Sequence, residues 1–378
     1  MADVLLDFSN LVVGGALQVA SATLADLTDP PRRGARTWLD DLDVETWLSP
    51  DVAEHLTIAV SDLPGRVVVK RTAPSLGALA RRRRADHAVR FTLFGPTYTG
   101  WIAEREVMGF ASVTLMYPEV RIGERQVPVS TRRERWVKGR LLRGADAYVV
   151  ETPALVPRMK SLVGIDPAIV HVVENRPHRV FLDSPSLSMP ADGLRGGPLR
   201  LLYPTRLYPH KNLNLLASVA DELRSTSGVE ARFIVTLRDS EWLRLPHDRR
   251  RCLENVGEVT PTELLRLYST VDAVFFPSLL EASSATPLEA NAMGVPLLAS
   301  DRDFVVTAAT ANELFDPLDH RSAARAVARF TSDPREAWAA SADVATRYRD
   351  RLSRSSRTDQ YLDLIESQFA DARLSRSH

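Results

Sequence analysis

The stretch from Leu199 to Ser225, "LRLLYPTRLYPHKNLNLLASVADELRS", changes its period in the middle. "LRLLYPT" is a short apolar run that reads as a strand, and "NLNLLASVADELRS" repeats its apolar residues at helical spacing. Between them lies a loop carrying Arg206 and Lys211. A strand that enters a helix through a short loop is the repeating unit of a parallel α/β sheet. Downstream the pattern continues: "ARFIVTL" predicts a strand, "PTELLRLYSTV" a helix, "DAVFFPS" a strand, "TPLEANAMG" a helix and "VPLLASD" a strand. Upstream, "DVLLDF", "LTIAV" at 56–60, "RVVVK" at 66–70, "RFTLF" at 90–94, "SVTLMY" at 112–117, "AYVVE" at 147–151 and "IVHVV" at 169–173 predict further strands. Amphipathic stretches such as "ALQVASATLADL" at 16–27 separate several of them. The expected fold class is α/β, with two doubly wound domains facing a central cleft at the carboxyl ends of their strands.

Between the halves, "FLDSPSLSMPADGLRGGPLR" at 181–200 is rich in Ser, Pro and Gly, the composition of a linker. The predicted boundaries are a first domain over 1–180, a linker over 181–198, a second domain over 199–345 and a charged C-terminal helix over 346–378.

The 378 residues carry 48 Lys and Arg against 48 Asp and Glu, so the net charge is zero. It is unevenly spread. Residues 1–64 hold 3 basic and 11 acidic side chains, and residues 65–143 hold 17 basic and 6 acidic. The basic block is either a solvated surface or a site for phosphate-rich partners or an anionic membrane face. No run of about 18 apolar residues exists, so no spanning helix is expected. The lone Cys252 and the absence of a signal-like start, "MADVLLDFSN", lead to an expected cytoplasmic location. No nucleic-acid recognition module is present, and no nucleic-acid partner is expected. There is no cluster of His and Cys ligands and no phosphate-binding "GxxxxGK" loop, so no metal or cofactor is expected.

Two glutamates eight positions apart, Glu281 and Glu289, lie in "SLLEASSATPLEANAMG" at 278–294. "TPLE" places Thr286 at a helix N-cap, Pro287 at the first helical position and Glu289 three residues after the cap. That is the capping-box pattern, so Glu289 has a purely structural explanation beside a functional one. Gly294 fits the far end of that helix. Glu281 follows a strand end, where a carboxylate is either surface or cleft. The loop Ala282, Ser283, Ser284, Ala285 has small side chains that let backbone N–H groups approach a ligand, and the helix start favours an anion. Arg206 and Lys211, at the end of the first strand of their domain, are either solvated cations or a diphosphate grip. Gly14 and Gly15 before the first helix form either a plain turn or a close-approach site.

These residues together resemble the retaining glycosyltransferases of family 4, whose GT-B fold is two Rossmann-like domains. The resemblance rests on Gly14-Gly15, Asn175 in "VVENRP", the pair Arg206 and Lys211-Asn212, "NVGEVTPTELLRLYSTVDAVFFPS" and Glu281-x7-Glu289. It is strongest over 198–301 and weaker, in register, over 1–180. It implies that Arg206 and Lys211 grip the donor diphosphate, that Glu289 bonds the ribose hydroxyls, and that Glu281 contacts the donor sugar near its reacting face. It assigns sugar and phosphate donors to Ser283, Ser284, Ala285 and Thr286, base contacts to the backbone around Val256 and Val259, and a glycine turn near phosphate and acceptor to Gly14 and Gly15. Gly95, Pro96, Thr97 and Tyr98 fall on the acceptor side. The chain departs from the family pattern in two places. "ASSA" replaces a Gly-Phe-Gly-like run, and "LFGPTYTGW" and "MYPEV" offer no histidine to the donor sugar.

The implied activity is a metal-independent, retaining hexosyltransferase in polysaccharide biosynthesis. It moves a sugar from a nucleotide-diphosphate sugar, its donor substrate, to a hydroxyl of a glycan or lipid-linked acceptor. The alternatives are a nucleotide-sugar epimerase and a non-catalytic nucleotide-sugar-binding relative. The resemblance also implies that the last helix crosses back to the first domain and that block 65–143 meets an anionic membrane as a peripheral protein.

Overall fold

The computed structural model describes residues 2–12, 14–29, 41–72, 86–122, 127–128, 130–191, 193–194 and 196–376. Two compact units divide the chain. The first comprises Met1–Pro118, Ser130–Glu174 and Ser355–His378, and the second Glu119–Val129 and Asn175–Arg354.

The first unit is built on seven strands: β1 (Val4–Phe8), β2 (Val44–Leu48), β3 (Arg66–Val69), β4 (His87–Gly95), β5 (Ala103–Phe110), β8 (Ala147–Val150) and β9 (Val170–Val172), with the two-residue β6 (Arg121–Ile122) and β7 (Val127–Pro128) forming a separate antiparallel pair that groups with the second unit. The sheet order is β3-β2-β1-β4-β5-β8-β9, parallel throughout. In the second unit β10 (Leu199–Tyr203), β11 (Ala231–Val235), β12 (Leu253–Asn255), β13 (Ala273–Phe276), β14 (Leu297–Ser300) and β15 (Glu313–Phe315) are ordered β12-β11-β10-β13-β14-β15, also all parallel.

Both orders reverse at the unit's first strand. β1 lies between β2 and β4, and β10 lies between β11 and β13. Loops leaving the carboxyl ends of such neighbours turn to opposite faces, and the gap between them is where open α/β sheets take ligands.

The helices used below are α1 (Gly15–Thr28), α2 (Arg132–Leu142), α3 (Leu155–Val163), α4 (Arg179–Asp183), α5 (Asn214–Ser227), α6 (Pro261–Tyr268), α7 (Ala285–Met293), α8 (Pro334–Ser353) and α9 (Arg357–Arg376). In the first unit Leu6, Phe8 and Phe91 pack with Leu17 and Leu24 of α1 and with Tyr361, Leu362 and Ile365 of α9. The Phe91 and Tyr361 rings lie 5.0 Å apart, and Thr358 Oγ1 donates to Asp26 Oδ2 at 2.9 Å. In the second unit Phe275 contacts both Phe233 (5.1 Å) and Phe315 (4.8 Å).

Three sequence expectations need correcting. The unit boundary falls at Asn175, and the composition expected of a linker from 181 hides packed structure. Phe181 is fully buried in α4, edge-on to Tyr268 at 5.6 Å, and Arg349 of α8 donates to the Phe181 and Leu182 carbonyls at 2.9 and 3.0 Å. The charged C-terminal segment is two helices: α8 stays with the second unit to Arg354, and only α9 belongs to the first. Finally, "LTIAV" is no strand, "SVTLMY" makes one turn of helix at Val113–Met116, and β2 and β5 lie where charged residues masked them. In β5 the masking residue is Glu106, buried beside Arg90 (3.7 Å), which also pairs with Asp7 at 3.2 Å. No helix among the described residues is long and apolar enough to cross a membrane.

Candidate active site

Four loops meet at the carboxyl edge of the second sheet. The loop after β10 starts at Pro204 and carries Arg206, His210 and Lys211. Tyr203, buried in β10, donates its hydroxyl to the Lys211 carbonyl at 2.8 Å. Asn212 then turns the chain in the left-handed region (φ 57), which asparagine tolerates better than most residues. Its Nδ2 bonds the carbonyls of Pro317 (2.8 Å) and Pro277 (3.3 Å). Leu279 N–H donates to the His210 carbonyl at 2.8 Å. The loop after β10 is thereby stitched to the loop after β13.

At the seam, Lys211 Nζ lies 2.6 Å from Glu281 Oε1, and Ser278 Oγ donates to the same oxygen at 2.6 Å. Glu281 is 7% exposed. Both bonds end on Oε1. A buried carboxylate of this kind costs several kcal/mol to desolvate, and a charge partner with a second donor offsets that cost. His210 is held neutral-leaning: burial lowers its pKa, opposed by the nearby Glu281 charge.

α7 begins directly after, at Ala285. Ser284 occupies the N-cap position without a side-chain hydrogen bond, so no side chain caps the first amides of the helix. The capping-box reading of Glu289 is overturned. The helix starts two residues earlier than "TPLE" suggests, and Glu289 points into the protein, where Tyr268 donates its hydroxyl to Oε2 at 3.0 Å. Burial raises the Glu289 pKa to about 7, with the Tyr268 hydrogen bond pulling the other way. Gly294 closes α7 in the left-handed conformation (φ 68), as its position predicts.

Arg206 is held on the other side of its loop. Its Nε lies 3.1 Å from Glu241, and its Nη1 bonds Glu258. Glu258 Oε1 also accepts from Arg238 Nε at 2.6 Å, so one carboxylate oxygen sits between two guanidinium groups. These hydrogen bonds, Arg238 first, hold Glu258 below its ordinary pKa. An anion is thus already seated between Arg206 and Arg238, and it belongs to the protein. Glu258 stands in the same loop as Val256, 36% exposed, and half-buried Val259. Val256 N–H donates to Val235 O at 3.0 Å, so of the backbone groups predicted to hold a base this one is committed to the sheet.

Arg206, Lys211, Val256, Val259, Glu281 and Ser283 to Thr286 therefore share one edge of the second unit. Gly14 and Gly15 open α1 in the first unit, and Gly14 adopts a conformation (φ 73, ψ −153) that only glycine takes readily. Gly95 ends β4 in that same unit, and Pro96 to Tyr98 follow it. Asn10 Nδ2 bonds the carbonyls of Phe94 (2.6 Å) and Pro96 (3.2 Å), tying the loop after β1 to the loop after β4. The Arg81 to Arg84 run lies outside the described residues. Sequence reading missed Tyr268, Ser278, Arg238, Glu241 and Glu258. Tyr268 reads as an ordinary apolar-face residue of α6, and the others become partners only through the fold. Among the described residues no group of three or more His, Cys, Asp and Glu could hold a metal ion.

Residues 188–347 match the family described as glycosyl transferases group 1. A glycogen synthase of Mycobacterium tuberculosis (strain H37Rv) is 28% identical over 175 residues, 45% of this chain and 41% of that protein, so the match spans less than half of the curated relative. Among solved structures, a glycosyltransferase from Rickettsia africae ESF-5 superposes with a TM-score of 0.66 at 12% identity, covering 97% of this chain and 98% of that one. HepE of Anabaena, solved in complex with UDP and glucose, gives 0.64 at 15% identity, covering 97% and 100%. The chain is similar to the group 1 glycosyl transferases in sequence across most of its second unit, and it shares the fold of the solved glycosyltransferases across nearly its whole length.

Proposed function

We propose that the protein is a retaining hexosyltransferase that moves a sugar from a nucleotide-diphosphate sugar to a hydroxyl of a glycan or lipid-linked acceptor, in the cytoplasm, without a metal ion, in the service of polysaccharide biosynthesis. The observation that carries this reading is the Lys211–Glu281 pair with Ser278, at the switch point of the second sheet and beside the uncapped start of α7. Donor diphosphate replaces the carboxylate partners of Arg206 and Lys211. The two cations and the α7 amides then meet the charge that develops on the leaving group, each strong contact being worth about 3–4 kcal/mol of barrier. Glu289 takes the ribose hydroxyls. Glu281 Oε2 bonds the donor sugar. The anomeric carbon loses its bond to the diphosphate oxygen and gains one to the acceptor oxygen on the same face, and the acceptor proton leaves with the diphosphate.

The test starts with thermal shift against UDP-, GDP-, dTDP- and ADP-sugars, UDP-glucose first because HepE is described with it. With the stabilising donor and an acceptor panel, NMR of the product reads the anomeric configuration. Retention of configuration, activity in EDTA, and a loss of roughly 100-fold or more in turnover for Lys211→Ala and Glu281→Ala at unchanged melting temperature are expected. Full activity in both variants overturns the site. Conversion of the donor sugar with no acceptor present would instead identify an epimerase.

A further inference from the structure

Three loops at the carboxyl edge of the second sheet are joined by charge. Arg206 comes from the loop after β10, Arg238 from the loop after β11 and Glu258 from the loop after β12. Two carboxylates meet Arg206, and they are held in unlike ways. Glu241, in the one-turn helix Asp239–Trp242, has both oxygens tied to the backbone of its neighbours. Its Oε1 accepts from Leu207 N–H at 3.2 Å and its Oε2 from Arg238 N–H at 3.0 Å, while Arg206 Nε lies 3.1 Å from Oε2. The Glu241 side chain is 15% exposed. The Glu258 side chain is 53% exposed and accepts on one oxygen, from Arg206 Nη1 and from Arg238 Nε. Both of those partners are side chains. Glu241 is therefore fixed by the scaffold, and Glu258 is held by charge at the surface, where it can exchange with water or with another anion.

Oε1 of Glu258 marks the point where one anion touches two guanidinium groups. A phosphoryl group suits that point better than the carboxylate does, because it brings more charge and more acceptor oxygens to two planar donor forks. We propose that Arg238 is a third anion-binding cation of this edge, beside Arg206 and Lys211, and that Glu258 is an internal competitor which a diphosphate displaces while Glu241 keeps Arg206 in place. The free chain thereby lowers its own affinity for anions. Release of Glu258 costs little, since exposed ion pairs are weak and the freed carboxylate moves into water. Arg206 is already oriented by Glu241, so the seat is formed before the ligand arrives. The proposal rests on the sugar-transfer reading only for the identity of the diphosphate as the donor's.

The test is calorimetry of the full chain with inorganic pyrophosphate, which carries the diphosphate without base or sugar. Glu258→Gln, an exposed change that is expected to leave the melting temperature unaltered, tightens binding about fivefold. On that background Arg238→Gln weakens binding about tenfold, the scale of a hydrogen bond to a charged group. On the wild-type background Arg238→Gln changes affinity less, since the same guanidinium also holds the competitor. A Glu258→Gln protein that binds pyrophosphate no tighter than wild type, or binds none, overturns the proposal. So does an Arg238→Gln change that has no effect on the Glu258→Gln background. Lys211→Ala separates the two readings. If it leaves pyrophosphate affinity unchanged while the Glu258 and Arg238 variants behave as expected, the anion seat stands and the donor site fails.

Discussion

Tyr268 illustrates what one residue does in this site. Its hydroxyl is fully buried, and its pKa is driven well above 10 by burial first and by Glu289 second. It stays protonated and donates to one oxygen of Glu289, which fixes the carboxylate that the proposed function assigns to the ribose. Tyr268→Phe keeps the ring against Phe181 and removes only that donor. The expected outcome is a donor KM raised about tenfold, on the scale of one lost hydrogen bond to a charged group, with a smaller change in kcat. The pKa of Glu289 moves further up, so the acid limb of the kcat/KM profile shifts to higher pH. Steady-state kinetics against pH check both. Equal losses in kcat and KM without a pH shift would make Tyr268 merely structural. The position of Arg206, Lys211 and Glu281 at strand ends was legible from the sequence. Tyr268 was not, because a buried tyrosine on the apolar face of a helix gives no sign of what its hydroxyl meets.

At the scale of elements, α4 shows where composition misleads. Ser, Pro and Gly after 181 suggest a free linker, yet Phe181 anchors the segment to α6, α7 and α8. Phe181→Ala removes a fully buried ring packed against Tyr268, and the expected loss is about 3–4 kcal/mol, measured by denaturant unfolding of the full chain. A loss under 1 kcal/mol would mean that the segment carries no load. The misread strands have a related cause. β2 and β5 hold Glu45, Glu104, Arg105 and Glu106, so their apolar signal is broken, although Glu106 is buried and its Oε1 accepts the Ile102 and Ala103 N–H groups at 2.8 and 3.1 Å. In the second sheet β13 and β14 are buried along their whole length, and β10 and β11 each carry one arginine in an otherwise apolar run, so those strands were readable.

At the scale of the whole molecule, buried carboxylates couple folding to pH. Burial raises Glu106, Glu151 and Glu289 from 4.5 to about 7 each. The native state keeps protons that the unfolded chain releases between those values. The stability they provide is complete below about pH 4.5 and is lost as pH rises through about 7. These three carboxylates favour a higher melting temperature near pH 5.5 than near pH 8, and His87, His171, His178 and His210, whose pKa burial lowers, act in the opposite sense on the acid side. Glu151, at the end of β8 and opposed by Arg357 of α9, belongs to no proposed site and isolates the effect. Glu151→Gln is expected to flatten the melting-temperature profile between those pH values, by an amount on the order of 2–3 kcal/mol at the alkaline end. An unchanged profile would remove Glu151 from this account.

The sequence by itself determined the layered α/β class, the restart of the pattern at Leu199 and the identity of the charged residues at strand ends, because periodicity and strand-end chemistry are local. Only the tertiary structure decided which of those residues share an edge, which carboxylate meets which cation, and that Glu289 answers to Tyr268 instead of capping its own helix. Those outcomes depend on strand order and burial. The reversal that sets β10 between β11 and β13 brings together loops that are 20 to 80 residues apart in the chain, and no local pattern records it.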